Sequence, residues 1–273
     1  MTDAVRRFRA MHESGCFVLP NPWDPGTAVY LEHLGYRAIA TTSAGFAFSR
    51  GRPDGVLAVP RDMMLQHVRE MTEATSLPVN ADFQSGYADE AEGVASNVAL
   101  CVATGCAGLS IEDATGREGP PLYERGLAVE RVRAARASID ATASGVVLTA
   151  RCEAFLVGEP GALRIALDRL VAFAEAGADC LYAPGMTRPS EIAELVRAVA
   201  PKPVNVLVSR PAPELTVPRL ADLGVRRISV GGALARVAWG AFIRAARSIA
   251  ETGTFDALAD GVPFDELNGV FGT

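Results

Sequence analysis

Residues 175–185 read EAGADCLYAPG. A helical run ends at Gly177, an apolar stretch follows at once, and the stretch stops on Pro184-Gly185. The same order recurs in HLGYRAIATTS (33–43), ATGCAGLSIED (103–113) and DLGVRRISVGG (222–232). Gly35, Gly105, Gly177 and Gly224 each fall where the residue after a helix turns left-handed, a conformation glycine adopts without a steric penalty. A strand beginning within a few residues of that turn is the signature of compact α/β units.

Working outward, eight strands are predicted: Phe17–Leu19, Ala38–Thr42, Val79–Phe83, Gly108–Glu112, Val146–Arg151, Cys180–Ala183, Val204–Val208 and Arg227–Gly231. They read as nearly continuous apolar runs, as expected of strands covered on both faces. Helical stretches such as EAEGVASNVALCVATG (90–105) separate them, and this alternation implies a parallel sheet. The expected fold is one (β/α)₈ barrel domain over residues 1–273, with extra C-terminal helices. The segment from about 240 to 273 is amphipathic; packing on its own barrel and exchange between subunits both fit it. An open doubly wound sheet is the alternative, but no GxGxxG follows the first strand and no Walker lysine motif occurs.

Composition narrows the function classes. Hydrophobic residues make up 49% of the 273, enough for a large core, and the net charge of -6 offers no face to nucleic acid. No apolar run is long enough to span a membrane, and the first residues lack a signal-peptide core, so a cytoplasmic protein is expected. Five cysteines without a CxxC pair read as reduced thiols, with Cys101 and Cys106 in the core. Lys202 is the sole lysine and precedes strand seven, so a Schiff-base lysine is disfavoured. Of the three histidines, His33 and His67 lie on helices remote from the strand ends; histidine catalysis and histidine-bound zinc are disfavoured too.

Barrel enzymes work at the C-terminal ends of their strands. There this sequence places Thr42-Ser43-Ala44-Gly45, Asp82, Glu112-Asp113, Arg151-Cys152-Glu153, Asn205 and Gly231-Gly232. Asp82, Glu112, Glu153 and Arg151 therefore converge. Two readings stand: oxygen ligands for a hard cation, Mg²⁺ or Mn²⁺, or an ion-pair network between Arg151 and the acids. Asp24 is expected to cap the next helix and Trp23 to wall the pocket. Gly231-Gly232 fits close strand–helix packing better than a phosphate cradle. By composition Asp54 is a turn residue in RGRPDG (50–55).

The segments PNPWD, TTSAGFAFSRGRPDG, PVNADFQSGYAD, AGLSIED, TARCEAF, AGADCLYAPG, PVNVLV and GVRRISVGGALAR, in this order, resemble the isocitrate lyase/phosphoenolpyruvate mutase superfamily in its phosphonomutase-like branch. The resemblance implies a Mg²⁺-dependent barrel enzyme for a small 2-oxo acid, assembled as a homodimer or homotetramer. By position, Asp82 would hold the metal, with Glu112 and Asp54 supporting it through water. Ser43, Ala44 and Gly45 would hydrogen-bond the oxo acid, Arg151 would hold its carboxylate, and Asn205 would line the pocket.

The departures carry information as well. The second acid common near Asp82 is replaced by Asn80 and Gln84, and the usual ARTD segment reads ARCE (150–153). The loop EDATGREGPPLYERG (112–126) has none of the lysine, cysteine, histidine or asparagine that the lyases and mutases place there. The reading that needs fewest groups is a carbon–carbon lyase that forms a metal-stabilised enolate, with oxaloacetate-type decarboxylation the simplest case. Phosphonopyruvate mutase or hydrolase chemistry, or a 2-oxo acid binding protein with little turnover, are the alternatives. Tyr87, Tyr123 and Glu153 are the candidate acid–base groups for cleavages that need one.

Overall fold

The structure, a computed structural model, describes residues 1–55 and 58–272; Thr273, the last residue of the expected domain, lies outside them. Among the described residues the strands are β1 (Phe17–Leu19), β2 (Ile39–Ala40), β3 (Val79–Asp82), β4 (Gly108–Glu112), β5 (Val147–Arg151), β6 (Cys180–Tyr182), β7 (Val204–Leu207) and β8 (Arg227–Ser229). The helices are α1 (Asp3–Glu13), α2 (Pro25–His33), α3 (Ser43–Ser49), α4 (Arg61–Ala74), α5 (Ala91–Val102) and α6 (Arg125–Ala141). They continue with α7 (Ala162–Glu175), α8 (Pro189–Val199), α9 (Val217–Asp222), α10 (Ala233–Thr252) and α11 (Phe264–Phe271), a short 3₁₀ turn preceding the last.

All strand pairs are parallel, in the order β1-β8-β7-β6-β5-β4-β3-β2. The remaining seam, between β1 and β2, is bridged where Ala40 N–H donates to the Pro20 carbonyl at 2.9 Å. The result is a nearly closed (β/α)₈ barrel, as expected. Gly35, Gly105, Gly177 and Gly224 all have positive φ, between 82° and 103°.

Two predicted strands, β2 and β8, are shorter by two residues or more, and each time the chain has been diverted to the site. β2 stops before Thr42 because Thr42 caps α3, its hydroxyl accepting from Gly45 N–H at 3.2 Å. β8 stops at Ser229 because the N–H groups of Val230 and Gly231 turn to Asn21 Oδ1, at 3.0 and 2.8 Å.

The strand composition also departs from the expectation of continuous apolar runs. Leu109, Ile111, Leu148, Ala150, Leu181, Val204, Val206 and Ile228 are buried in the main apolar core. Their alternate neighbours Asn80, Asp82, Ser110, Arg151, Asn205, Arg227 and Ser229 line a cavity inside the barrel. A strand's period of two sorts the residues in this way, and here the interior is polar where barrels are usually filled by branched aliphatics.

Candidate active site

The interior cavity, about 170 Å³, is bounded by Ser43, Ala44, Asp54, Leu156, Pro184 and Gly232 and reaches down to Asn80, Ser110, Asn205 and Arg227. Its charged centre is Arg151. Nη1 pairs with Asp82 Oδ1 at 2.7 Å, Nη2 with Glu112 Oε2 at 3.1 Å and Nε with Glu153 Oε1 at 2.9 Å. Adjacent strands deliver these groups: Glu112 and Arg151 are register partners across β4 and β5. A guanidinium has five N–H donors, so after these three contacts two remain.

Asp82 is held from its other side. Its Oδ2 accepts from Ser43 N–H at 2.9 Å and Ser43 Oγ–H at 2.8 Å, while its own N–H donates to Thr41 Oγ1 at 2.8 Å. Of the three amides expected to hold an oxo acid, Ser43 is thus engaged by Asp82 and Gly45 by Thr42. Ala44 N–H is the one left at the cavity wall without an acceptor among the described residues. Gly45 is required for a different reason: a Cβ there would come within 2.7 Å of Thr42 Cγ2 and 3.0 Å of Trp23 Cβ.

Burial dominates the electrostatics of Glu112, Glu153 and Asp54 and favours their neutral forms. Burial raises the Glu112 carboxyl; Arg151 opposes the shift, and Glu153, Asp82 and Asp113 reinforce it. Glu153 is raised by burial as well, against the pull of Arg151. Asp54 stands exposed at the mouth, its carboxyl pushed up by partial burial and then by the Asp82 charge. Burial alone would weaken the Arg151 charge, but its three carboxylates outweigh that and hold it fully cationic. Behind this cluster Asp113 Oδ1 accepts from Glu153 N–H at 2.8 Å and Oδ2 pairs with Arg169 at 3.0 Å, fixing Glu153 in place.

Among the described residues no three carboxylate, imidazole or thiol groups converge tightly enough to cage a metal unaided. The acids on the cavity wall, Asp82 and Asp54, nonetheless offer only oxygen, and Glu112 and Glu153, off the wall, crowd the Arg151 guanidinium. That set fits a hard divalent cation held by few protein oxygens and completed by water, which is the habit of Mg²⁺. The ion-pair reading from the sequence describes the geometry seen here, and the surplus of acids over guanidiniums is the feature that suits a cation.

Several expected residues sit elsewhere. Trp23 does not line the cavity; it lies behind Gly45, in a groove with Ala235, Ala238, Trp239 and Phe242. Glu112 and Glu153 contact Arg151 from behind and are not on the cavity wall. Tyr123 donates to Asp89 Oδ1 at 2.7 Å and stacks on Arg131. Arg131 in turn clamps the carbonyls of Ser85, Ala88 and Asp89, fixing the loop after β3. In that loop Tyr87 has φ 56°, and its buried hydroxyl has no partner among the described residues; it too lies off the cavity wall. The loop after β4 closes as a small hairpin through the Ala114–Leu122 bridge.

Asp24 caps α2, with Thr27 N–H donating to it at 2.7 Å. Gly231 adopts φ 55° and gives its amide to Asn21, in keeping with packing rather than a phosphate cradle. His67 is buried against Phe46, and burial lowers it to about 4, so its imidazole is neutral. Cys101 and Cys106 are buried with their sulfurs 4.0 Å apart.

Sequence reasoning missed Asn21, Tyr182 and Arg227. Asn21 ties the seam by donating to Thr41 O at 2.9 Å and accepting from the end of β8. Tyr182 lines the cavity with its ring 5.2 Å from the Arg151 guanidinium, and burial raises its hydroxyl to about 12. The signal that would have found Tyr182 and Arg227 is their position two residues from another polar or terminal strand residue, on the inward face.

A parallel barrel whose strand ends gather carboxylates around an arginine defines a class, the barrel enzymes that work at the C-terminal mouth. Comparison with known proteins makes the assignment specific. Residues 8–250 match the family model described as phosphoenolpyruvate phosphomutase. The chain belongs to the phosphoenolpyruvate mutase/isocitrate lyase superfamily of lyases and mutases. A lyase/mutase-type protein of Burkholderia cenocepacia J2315 superposes with a TM-score of 0.94 at 46% identity, over 99% of this chain and 96% of that one. An uncharacterized protein of Mycobacterium tuberculosis H37Rv is 33% identical over 95% of this chain and 94% of its own length. An oxaloacetate decarboxylase of Rhodopseudomonas palustris HaA2 is 32% identical over 81% of this chain and 72% of its own length. Among the described residues no helix is long and apolar enough to cross a membrane.

Proposed function

We propose that this chain is a carbon–carbon lyase for a small 2-oxo acid, with decarboxylation of a 3-carboxy 2-oxo acid of the oxaloacetate type as its reaction. The observation that carries the reading is that none of the three acid–base candidates, Tyr87, Tyr123 and Glu153, reaches the cavity wall. Tyr123 is committed to Asp89, Glu153 is locked behind Arg151, and Tyr87 lies off the cavity wall. Retro-aldol cleavage needs a base for the hydroxyl proton. Decarboxylation needs only that the developing enolate be stabilised and later protonated by solvent. The similarity to an oxaloacetate decarboxylase supports the same choice.

In this reading Asp82 would hold Mg²⁺, with Asp54 reached through water, while Glu112, off the cavity wall, would act through Arg151. When bound the metal supplies Lewis-acid polarisation of the C2 carbonyl. The chain's own groups do the rest. Ala44 N–H and the two remaining Arg151 N–H donors orient the substrate carboxylate, and Ser43 keeps Asp82 aimed at the mouth. Asn205 fixes the lower wall by donating to Ser229 Oγ at 2.9 Å. Loss of oxaloacetate with added Mg²⁺, above the metal's own background, is the expected result. No excess over background, together with turnover of phosphonopyruvate seen by phosphorus NMR, would replace this reading by phosphorus–carbon chemistry.

The expected homodimer or homotetramer belongs to the same proposal. α11 rests on α2 of its own chain, Tyr30 donating to Glu266 at 2.8 Å. α10 and the tail still expose Val237 (70%), Phe242 (61%) and Phe264 (87%), an apolar face suited to a second copy. Light scattering that gives a monomer mass at micromolar concentration would remove the oligomer from the proposal.

A further inference from the structure

Beneath the site lies a second buried guanidinium. Arg227, at the start of β8, is 2% exposed. Its side chain crosses the barrel. Nε–H donates to Asn205 Oδ1 on β7 at 2.9 Å and Nη2–H to Thr149 Oγ1 on β5 at 3.0 Å. Nη1 lies 3.4 Å from His12 Nε2 on α1, which covers this end of the barrel. His12 Nδ1 is 2.7 Å from the Phe8 carbonyl, so the ring proton sits on Nδ1 and Nε2 offers a lone pair. Burial and the Arg227 charge lower His12 to about 3, which keeps it neutral.

Every partner of Arg227 is therefore neutral, and no carboxylate of the described residues pairs with it. An arginine cannot shed its charge, and a buried charge without a counter-ion is costly. Two of its five N–H donors remain unspent. Arg227, Asn205 and Ser229 form part of the floor of the same cavity whose mouth holds Arg151. Arg151 has three carboxylates around it, so the uncompensated positive charge of the cavity is at the floor.

We propose that Arg227, flanked by Asn205 and Ser229, forms a second anion subsite at the floor of the cavity, so that the ligand is a dianionic 2-oxo acid with one anionic group at the mouth and the other at Arg227. This rests on the 2-oxo acid reading of the mouth and adds the group that receives the second carboxylate. The cavity, about 170 Å³, has room for a four- or five-carbon diacid.

The test uses two pairs matched in carbon skeleton, oxaloacetate against 2-oxobutyrate and 2-oxoglutarate against 2-oxovalerate, titrated freshly dissolved into the protein with Mg²⁺ by isothermal calorimetry at low temperature. In the wild type at least one diacid is expected to bind about tenfold or more tighter than its monoacid, the scale of one charge-assisted contact. Arg227→Gln is expected to bring that ratio to about one while leaving the monoacids within about twofold. Thr149→Asp, which places a carboxylate beside the retained arginine, should do the same and guards against an unfolded Arg227→Gln protein. Equal binding of diacids and monoacids to the wild type, or a ratio that survives in a folded variant, overturns the subsite and leaves the reading of the mouth intact. If none of the four acids binds the wild type, the 2-oxo acid reading fails, and the subsite fails with it.

Discussion

Arg151 and Arg227 are two guanidiniums buried in one cavity, and their surroundings are opposite. Arg151 is ringed by Asp82, Glu112 and Glu153. Arg227 is met by an amide oxygen, a hydroxyl and a neutral imidazole. The mouth thus has more acids than its arginine could pair if all were ionised, and the floor has positive charge with nothing to balance it. The proposed ligands, a cation at the mouth and an anion in the depth, answer that difference. The difference separates a residue whose loss breaks a charge network from one whose loss removes a binding determinant.

The largest expected effect is on stability. Arg151→Ala strands three carboxylates, and removing one partner of a buried ion pair costs about 3–5 kcal/mol. Arg227→Met removes a buried charge along with hydrogen bonds to neutral acceptors, and is expected to cost only about 1–2 kcal/mol. Urea unfolding of both metal-free variants at pH 7.5 measures the contrast; equal losses would mean that the two arginines play the same part.

A smaller effect concerns pH. Glu112 and Glu153 have folded-state pKa values raised above their unfolded values. A raised carboxyl binds its proton more tightly in the folded state, so its stabilising contribution is full below the unfolded pKa near 4.5 and is lost as pH climbs through the raised value. The melting temperature of metal-free protein is expected to fall between pH 5 and pH 8, and Glu112→Gln should flatten that fall. Mg²⁺ should raise the melting temperature more at pH 8 than at pH 5, because the carboxylates it meets are then ionised. A wild-type profile as flat as that of Glu112→Gln would contradict a buried, raised Glu112 carboxyl beside Arg151.

The smallest effect belongs to Ser43→Ala. It removes one of the two donors to Asp82 Oδ2 and leaves the backbone donor in place. The expected cost is about 1 kcal/mol or less in unfolding experiments, with a weaker Mg²⁺-induced melting shift as the sharper readout. A cost as large as that of Arg151→Ala would mean that Ser43, and not the arginine, organises the mouth.

Much of this architecture was legible in the chain. The glycine that ends each helix and the strand that follows are local events, dictated by backbone sterics and short-range hydrogen bonding. Strands placed that way bring Asp82, Glu112 and Arg151 to one end of a barrel, which is why these three could be named together. Reading the strands as uniformly apolar hid the rest. In Val79-Asn80-Ala81-Asp82 and Arg227-Ile228-Ser229 the polar residues alternate with apolar ones, and a period of two in polarity is the local mark of a strand with one polar face.

The sequence alone determined the order of elements, the barrel class and the set of residues at the strand ends, because each depends on neighbours close along the chain. The tertiary structure decided which charges meet. Trp23 packs behind α3, Tyr123 is spent on Asp89, and Arg227 reaches across to Thr149 without encountering an acid. These are distances between residues far apart in the chain, set by how the barrel closes, and no local pattern encodes them.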